Sequence, residues 1–147
     1  MESKTNKKQR NGFTIIEIMA VLIILGMLAT VVAVNVVGHV KEGRVRTTKL
    51  NLKKLHQAVQ AFEMQTTRYP SEDVGLEELI EQPSDVDNWP AGGFLETTEI
   101  PKDAWGNDFV YELDPPSGKP FVIISYGADG EEGGEGDDAD FYSTDAF

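Results

Sequence analysis

With 147 residues, a formal net charge of −12 and no cysteine, the chain excludes several classes at the outset. Nucleic acid is a poor partner, because phosphate binding needs clustered Lys and Arg. Disulfide frameworks and thiolate metal sites are ruled out, and the acidic balance points toward cations instead.

The first twelve residues carry Lys4, Lys7, Lys8 and Arg10 against Glu2 alone. Residues 13–37 then form an apolar run of 25 residues in which Glu17 is the only ionisable side chain and Asn35 the only other strongly polar one. A bilayer-spanning helix needs about 20 such residues, and the positive-inside bias places the basic end in the cytoplasm and the rest of the chain across the membrane. A cleaved secretory signal would be shorter and would end in a small-x-small pattern, which this run lacks. Glu17 sets the run apart from a plain anchor. A carboxylate at that depth costs about 2.5–3.5 kcal/mol, and such residues usually face a partner.

Gly12-Phe13-Thr14-x-x-Glu17, after a short basic leader and before an apolar helix, resembles the signal of type IV pilins and type II secretion pseudopilins. The resemblance implies that a prepilin peptidase cuts between Gly12 and Phe13 and that the new amine is methylated. It also implies that Glu17 is the assembly carboxylate, pairing with an N-terminal amine. A buried charge is tolerated when paired, so this chemistry is physically coherent. Such proteins commonly carry a proline just before an Asn-Val pair, where this chain has Val34 before Asn35-Val36. Proline kinks or melts a helix, and Val34 does neither.

Beyond Gly38 the composition turns polar but the helical rhythm continues. Val45, Thr48, Leu52, Leu55, Val59, Phe62 and Thr66 recur at spacings of three and four, the stripe of an amphipathic helix. One nearly continuous helix is expected over 13–65, roughly 80 Å at 1.5 Å per residue. His39 and His56 read as helix-surface residues rather than metal ligands. Arg68-Tyr69-Pro70 ends the helix. A short second helix is expected over 71–81, then loop over 83–93, with Trp89 and Trp105 stapling loops onto a small core.

Residues 109–113 and 120–126 are rich in aromatic and β-branched side chains and flank the turn-forming 114–119, so they predict an antiparallel hairpin. Through Arg68-Tyr69-Pro70, Gly75-Leu76-Glu77, Asn88-Trp89, Gly92-Gly93 and Pro101-Lys102-Asp103-x-Trp105-Gly106-Asn107, the chain is similar to the major pseudopilins of type II secretion. That resemblance implies an α+β, type IV pilin-like fold. Its parts are a cleaved leader (1–12), a transmembrane and assembly helix (13–37), and a periplasmic domain (38–147) in which the helix packs on a small sheet.

Residues 126–140 hold seven carboxylates, no base and repeated glycines, rooted directly on a strand. A solvated acidic tail is the ordinary outcome of such a composition. Hard cations such as calcium, however, take six to eight oxygens from carboxylates and carbonyls, and a glycine-rich loop can wrap one. An EF-hand does not fit, because no helix enters the loop. The resemblance extends here to the calcium loop of the major pseudopilins. It implies the Tyr126 carbonyl, Asp129, Asp138 and Asp140 as ligands, with Asp137 the least secure exclusion and Glu131 and Glu132 left in solvent.

No nucleophile with an adjacent base and no phosphate loop appears, so an enzyme is not expected. The function implied is a structural subunit polymerising into a periplasmic pseudopilus. Its partners would be other copies of itself, minor pseudopilins, the inner-membrane secretion platform, prepilin peptidase and membrane lipid. A type IV pilin for adhesion is the rival within the class, disfavoured by the absent disulfide and the acidic loop. A membrane-anchored calcium-binding module that never polymerises is the rival outside it, disfavoured by Glu17.

Overall fold

The computed structural model describes residues 12–145, the side chains of 31–37 excepted. The leader expected over 1–12 therefore lies, except for Gly12, outside the described residues, as does the side chain of Val34. The chain divides into two compact units, Met1–His39 and Val40–Phe147.

Helix α1 spans Ile15–Thr66. In the first unit its apolar side chains are exposed all round, from Ile15 and Ile16 through Leu22 to Leu28. Among the described residues no helix is long and apolar enough to cross a membrane; the apolar run of the sequence continues into residues 31–37.

In the second unit the periodic stripe becomes the core. Thr48, Leu52, Leu55, Val59 and Phe62 are wholly buried, and the four apolar ones pack with Leu76, Leu79, Phe109, Phe121 and Ile123. Full burial of one such apolar side chain is worth about 1.5–3 kcal/mol, so this stripe holds the helix to the domain. The helix stops at Thr67, which adopts a left-handed φ of 62° and donates its N–H to the Glu63 carbonyl at 2.7 Å. A left-handed residue just past the end satisfies an orphan carbonyl. Termination thus precedes Pro70 and needs no help from it.

The helix expected over 71–81 is only a 3₁₀ turn, Gly75–Leu79. Gly75 has φ 73°, a conformation that an α-helix cannot contain, so the segment breaks there. Loop follows, as expected. Trp89 packs edge-on against Phe62 and Phe94, and Trp105 stacks on Phe141 at 5.9 Å.

Three strands form one antiparallel sheet in the order β1-β2-β3: β1 Val110–Leu113, β2 Phe121–Ser125 and β3 Phe141–Tyr142. The expected hairpin pairs Val110 with Ile124 and Leu113 with Phe121. Strand β3 is an addition to expectation, pairing Ile124 with Tyr142 and Ser125 with Phe141. Central β2 is buried along its whole length.

His56 is a correction. It is buried, not on the helix surface. Its Nδ1 is hydrogen-bonded to Ser143 Oγ at 3.1 Å, its Nε2 to Gln60 at 3.3 Å, and its ring lies 4.6 Å from that of Phe121. The cause is the C-terminal segment, which folds back over this part of α1. His39 is exposed.

Candidate functional site

Two stretches carry the residues singled out in the sequence, one in each unit. At the start of α1, the Thr14 N–H and hydroxyl both donate to Glu17 Oε2, at 3.2 and 3.3 Å. The Glu17 N–H donates back to Thr14 Oγ1 at 3.3 Å. This is a reciprocal capping box, in which N-cap and third helical residue satisfy each other's orphan donors. The helix macrodipole favours an anion at this end. The carboxylate of Glu17 is therefore partnered within its own chain, by the residue next to Phe13. Gly12 and Phe13 are exposed. The Thr-x-x-Glu spacing is a sequence signal for this cap.

In the second unit, the acidic stretch closes into a loop over 126–140. Ala128 N–H donates to the Asp137 carbonyl at 2.9 Å. Gly127, at φ 67°, approaches the 137–139 backbone so closely that a Cβ would sit 2.7 Å from the Asp137 oxygen; at Gly134, φ 86°, it would sit 2.4 Å from the Asp138 oxygen. Only glycine permits both approaches. The base of the loop is held by the Lys102–Asn107 turn. Buried Asp103 accepts from the N–H groups of Trp105 and Asn107 and from the Ser125 hydroxyl at 2.8 Å. Asn107 Nδ2 in turn donates to the Gly127 carbonyl at 2.8 Å. This support was not anticipated, since Asp103 and the strand end are joined only by folding.

The structure places the expected ligands as follows. Asp129 is exposed and accepts from the Glu131 N–H at 3.2 Å. Asp140 accepts from the Gly133 N–H and the Tyr142 hydroxyl. Asp138 is exposed, Tyr126 is half-buried, and Glu131 and Glu132 are exposed. Asp137 forms an ion pair with Lys41 at 2.7 Å, and that carboxylate, with help from Asp138, raises the Lys41 pKa above its ordinary value. Among the described residues no three carboxylates or imidazoles converge in a group able to hold a metal. The donor chemistry is nevertheless all hard oxygen, the set calcium takes, on a loop whose base is already fixed.

Family comparisons span both stretches. Residues 35–144 match the family described as type II secretion system (T2SS), protein G, and residues 7–33 match the prokaryotic N-terminal methylation motif. The type II secretion system core protein G of Pseudomonas aeruginosa is 38% identical over 142 residues, covering 95% of this chain and 98% of its own. That of Vibrio cholerae is 36% identical over 135 residues, covering 90% of each. The crystal structure of the major pseudopilin from the type 2 secretion system of enterohaemorrhagic Escherichia coli has the same fold. Its TM-score is 0.58 at 23% identity, over 74% of this chain and 92% of that one. A family match of this extent, with relatives covered almost end to end, means that the chain belongs to the type II secretion system protein G family, whose members are structural pseudopilins and not enzymes.

Proposed function

We propose that this chain is the subunit that polymerises into the periplasmic pseudopilus of a type II secretion system and so supports export of folded proteins across the outer membrane. The observation that carries this reading is the succession of two matches on one chain, the methylation motif over 7–33 and the protein G family over 35–144. Prepilin peptidase removes residues 1–12, Phe13 becomes the methylated N-terminus, and residues 13–37 hold the chain in the inner membrane by a single pass. A helix apolar all round is stable only in a large core or in lipid, and the exposed Ile15–Leu28 face supports the second. Glu17 then exchanges its partner in the capping box for the amine of another copy as subunits join. Minor pseudopilins and the inner-membrane platform complete the assembly.

The acidic loop takes calcium. The Tyr126 carbonyl, Asp129, Asp138 and Asp140 would hold it, and the ion would supply positive charge to a loop in which, among the described residues, only Asp137 is ion-paired, with Lys41. The chain's own contribution is the rigid base formed by Asp103, Asn107 and Ser125, and the two glycines that let the loop double back.

Intact mass of the protein extracted from membranes tests the processing, with loss of residues 1–12 and one added methyl group expected. Expression in cells lacking their own major pseudopilin tests the function, with restored export expected. A retained leader in the presence of active peptidase, or a correctly processed chain that neither forms fibres nor restores export, overturns the reading.

A further inference from the structure

Charge is divided unevenly in the second unit. Its part of α1 carries Lys41, Arg44, Arg46, Lys49, Lys53 and Lys54 against Glu42 and Glu63, whereas the chain after Thr66 has three bases against twenty-one carboxylates. Some of the helix bases already serve their own chain, for Lys41 pairs with Asp137 and Lys49 lies 5.9 Å from the ring centre of Phe141. Arg46 and Lys54 are exposed, and among the described residues neither forms an ion pair.

Arg46 borders, and Lys54 lies within, a second stripe on α1, on the far side from the buried one. Thr47, Leu50, Lys54, Gln57, Ala61 and Met64 follow one another at alternating spacings of three and four, which places them on one face. Leu50 is 52% and Met64 75% exposed, and the stripe contains no carboxylate. The outward face of a helix in an isolated domain is ordinarily charged and polar. This one has the composition of a contact, with exposed apolar side chains interspersed with bases.

A surface of the opposite character lies on residues 72–81. The 3₁₀ turn buries Leu76 and Leu79 and leaves Val74 51% exposed among the exposed carboxylates of Asp73, Glu77 and Glu81. Among the described residues none of these three acids is in an ion pair. Arg68, the nearest base in the sequence, is committed to Glu78 and Asp85.

We propose that the basic stripe of α1 is covered by the 72–81 surface of a second copy of this chain, with Leu50 of one copy against Val74 of the next and Arg46 and Lys54 against Asp73 and Glu77. The inference rests on the polymer reading and names the faces that meet. Because the two patches differ, the contact is heterologous and repeats along a chain of subunits without pairing off into closed dimers. The exposed apolar side chains provide the burial, and the charges among them set register and reject the wrong face.

The chain has no cysteine, so Leu50→Cys and Val74→Cys introduce the only thiols. The full chain is expressed in cells that carry the rest of the secretion apparatus, oxidised, and run without reductant. The double variant is expected to give a ladder of multimers and each single variant none. Dimers from Leu50→Cys alone would show that the helix faces meet each other, and overturn the proposal. As a second arm, Arg46→Glu with Lys54→Glu is expected to lower fibre yield by about tenfold or more, because like charges now face each other. Adding Asp73→Lys and Glu77→Lys is expected to restore the yield. Wild-type yield from the Arg46/Lys54 variant, or no rescue by the reversal, overturns the contact. Fibres in the wild type with no Leu50–Val74 ladder overturn the contact alone, whereas a wild-type chain that forms no fibre in the same cells overturns the polymer reading with it.

Discussion

The Ser143 hydroxyl is hydrogen-bonded to His56 Nδ1 at 3.1 Å and accepts the Ile123 N–H at 3.0 Å, so one buried oxygen joins the end of the chain to both α1 and β2. Ser143→Ala leaves a buried imidazole nitrogen and a buried amide without that partner. The cost of an orphaned buried group is about 1–3 kcal/mol, which for a domain of this size lowers Tm by roughly 4–8 °C per kcal/mol. Thermal melting of the full chain in detergent checks this. A variant melting like the wild type would mean that the contact contributes nothing.

The same histidine gives a pH dependence of defined sign. Burial pushes the His56 pKa below its ordinary value, so the unfolded chain binds the proton more readily. Stability from neutral His56 is therefore full above about pH 6.5, the ordinary imidazole value. It is lost as the pH falls from there through the lower folded value. Melting curves between pH 8 and pH 5 should show that slope in the wild type and a shallower one in His56→Gln.

Glu78 is buried and held by Arg68 Nη1 at 2.6 Å and the Ser71 hydroxyl at 2.6 Å; the other side of the Arg68 fork grips Asp85 through two bonds of 2.9 Å. Removing the base leaves an uncompensated buried carboxylate, a loss of about 3–5 kcal/mol. Arg68→Met should be strongly destabilising, and Arg68→Met with Glu78→Leu should recover much of the loss. Urea titration of the two variants decides. Equal midpoints would show that the buried charge is not the cause.

The capping box separates two roles of Glu17. Glutamine keeps the reciprocal hydrogen bonds but not the charge, whereas Thr14→Val keeps the charge and breaks the box. Loss of the cap costs about 0.5–2 kcal/mol of local helix stability, visible as faster amide exchange at Glu17 and Ile18. If the carboxylate docks on an amine, Glu17→Gln abolishes fibres although its helix start is intact, and Thr14→Val assembles with a frayed one. The reverse pattern would assign the effect to the cap.

Calcium should raise Tm, because a ligand that binds only the folded state adds RT ln(1 + [L]/Kd), about 2.7 kcal/mol at 100 times Kd. Asp129→Ala is expected to abolish the difference between chelator and millimolar calcium, Glu131→Ala to preserve it, and magnesium to substitute poorly. Identical curves with and without calcium would return the loop to a solvated acidic end.

What the sequence made legible was local. The Leu52-Leu55-Val59-Phe62 periodicity needs no partner to be seen, and β2 announces itself by branched and aromatic residues. Strand β3 was not legible, because two residues after an acidic run offer no alternation to count. His56 was misjudged because its identity depends on Ser143, 87 positions away. In the loop, carboxylate composition could be read but not orientation, and the Asp103 support could be seen only after the 102–107 turn had been folded against the end of β2.

The sheet has one further bearing on how such a chain can associate. Edge β3 has two residues. Edge β1 has four, and at one end its Leu113 N–H is already donated to Glu72 Oε1 at 3.2 Å, while the Tyr111 hydroxyl ties the strand to the Pro70 carbonyl at 3.1 Å. An exposed edge is the template on which amyloid-like stacking starts, and proteins suppress it with short or covered edges. A subunit held at high density in a membrane and drawn into a filament, as proposed above, would need that protection, since uncontrolled strand addition would compete with ordered growth. Here the protection is in the folded subunit itself, which favours unions between copies that are made through side chains.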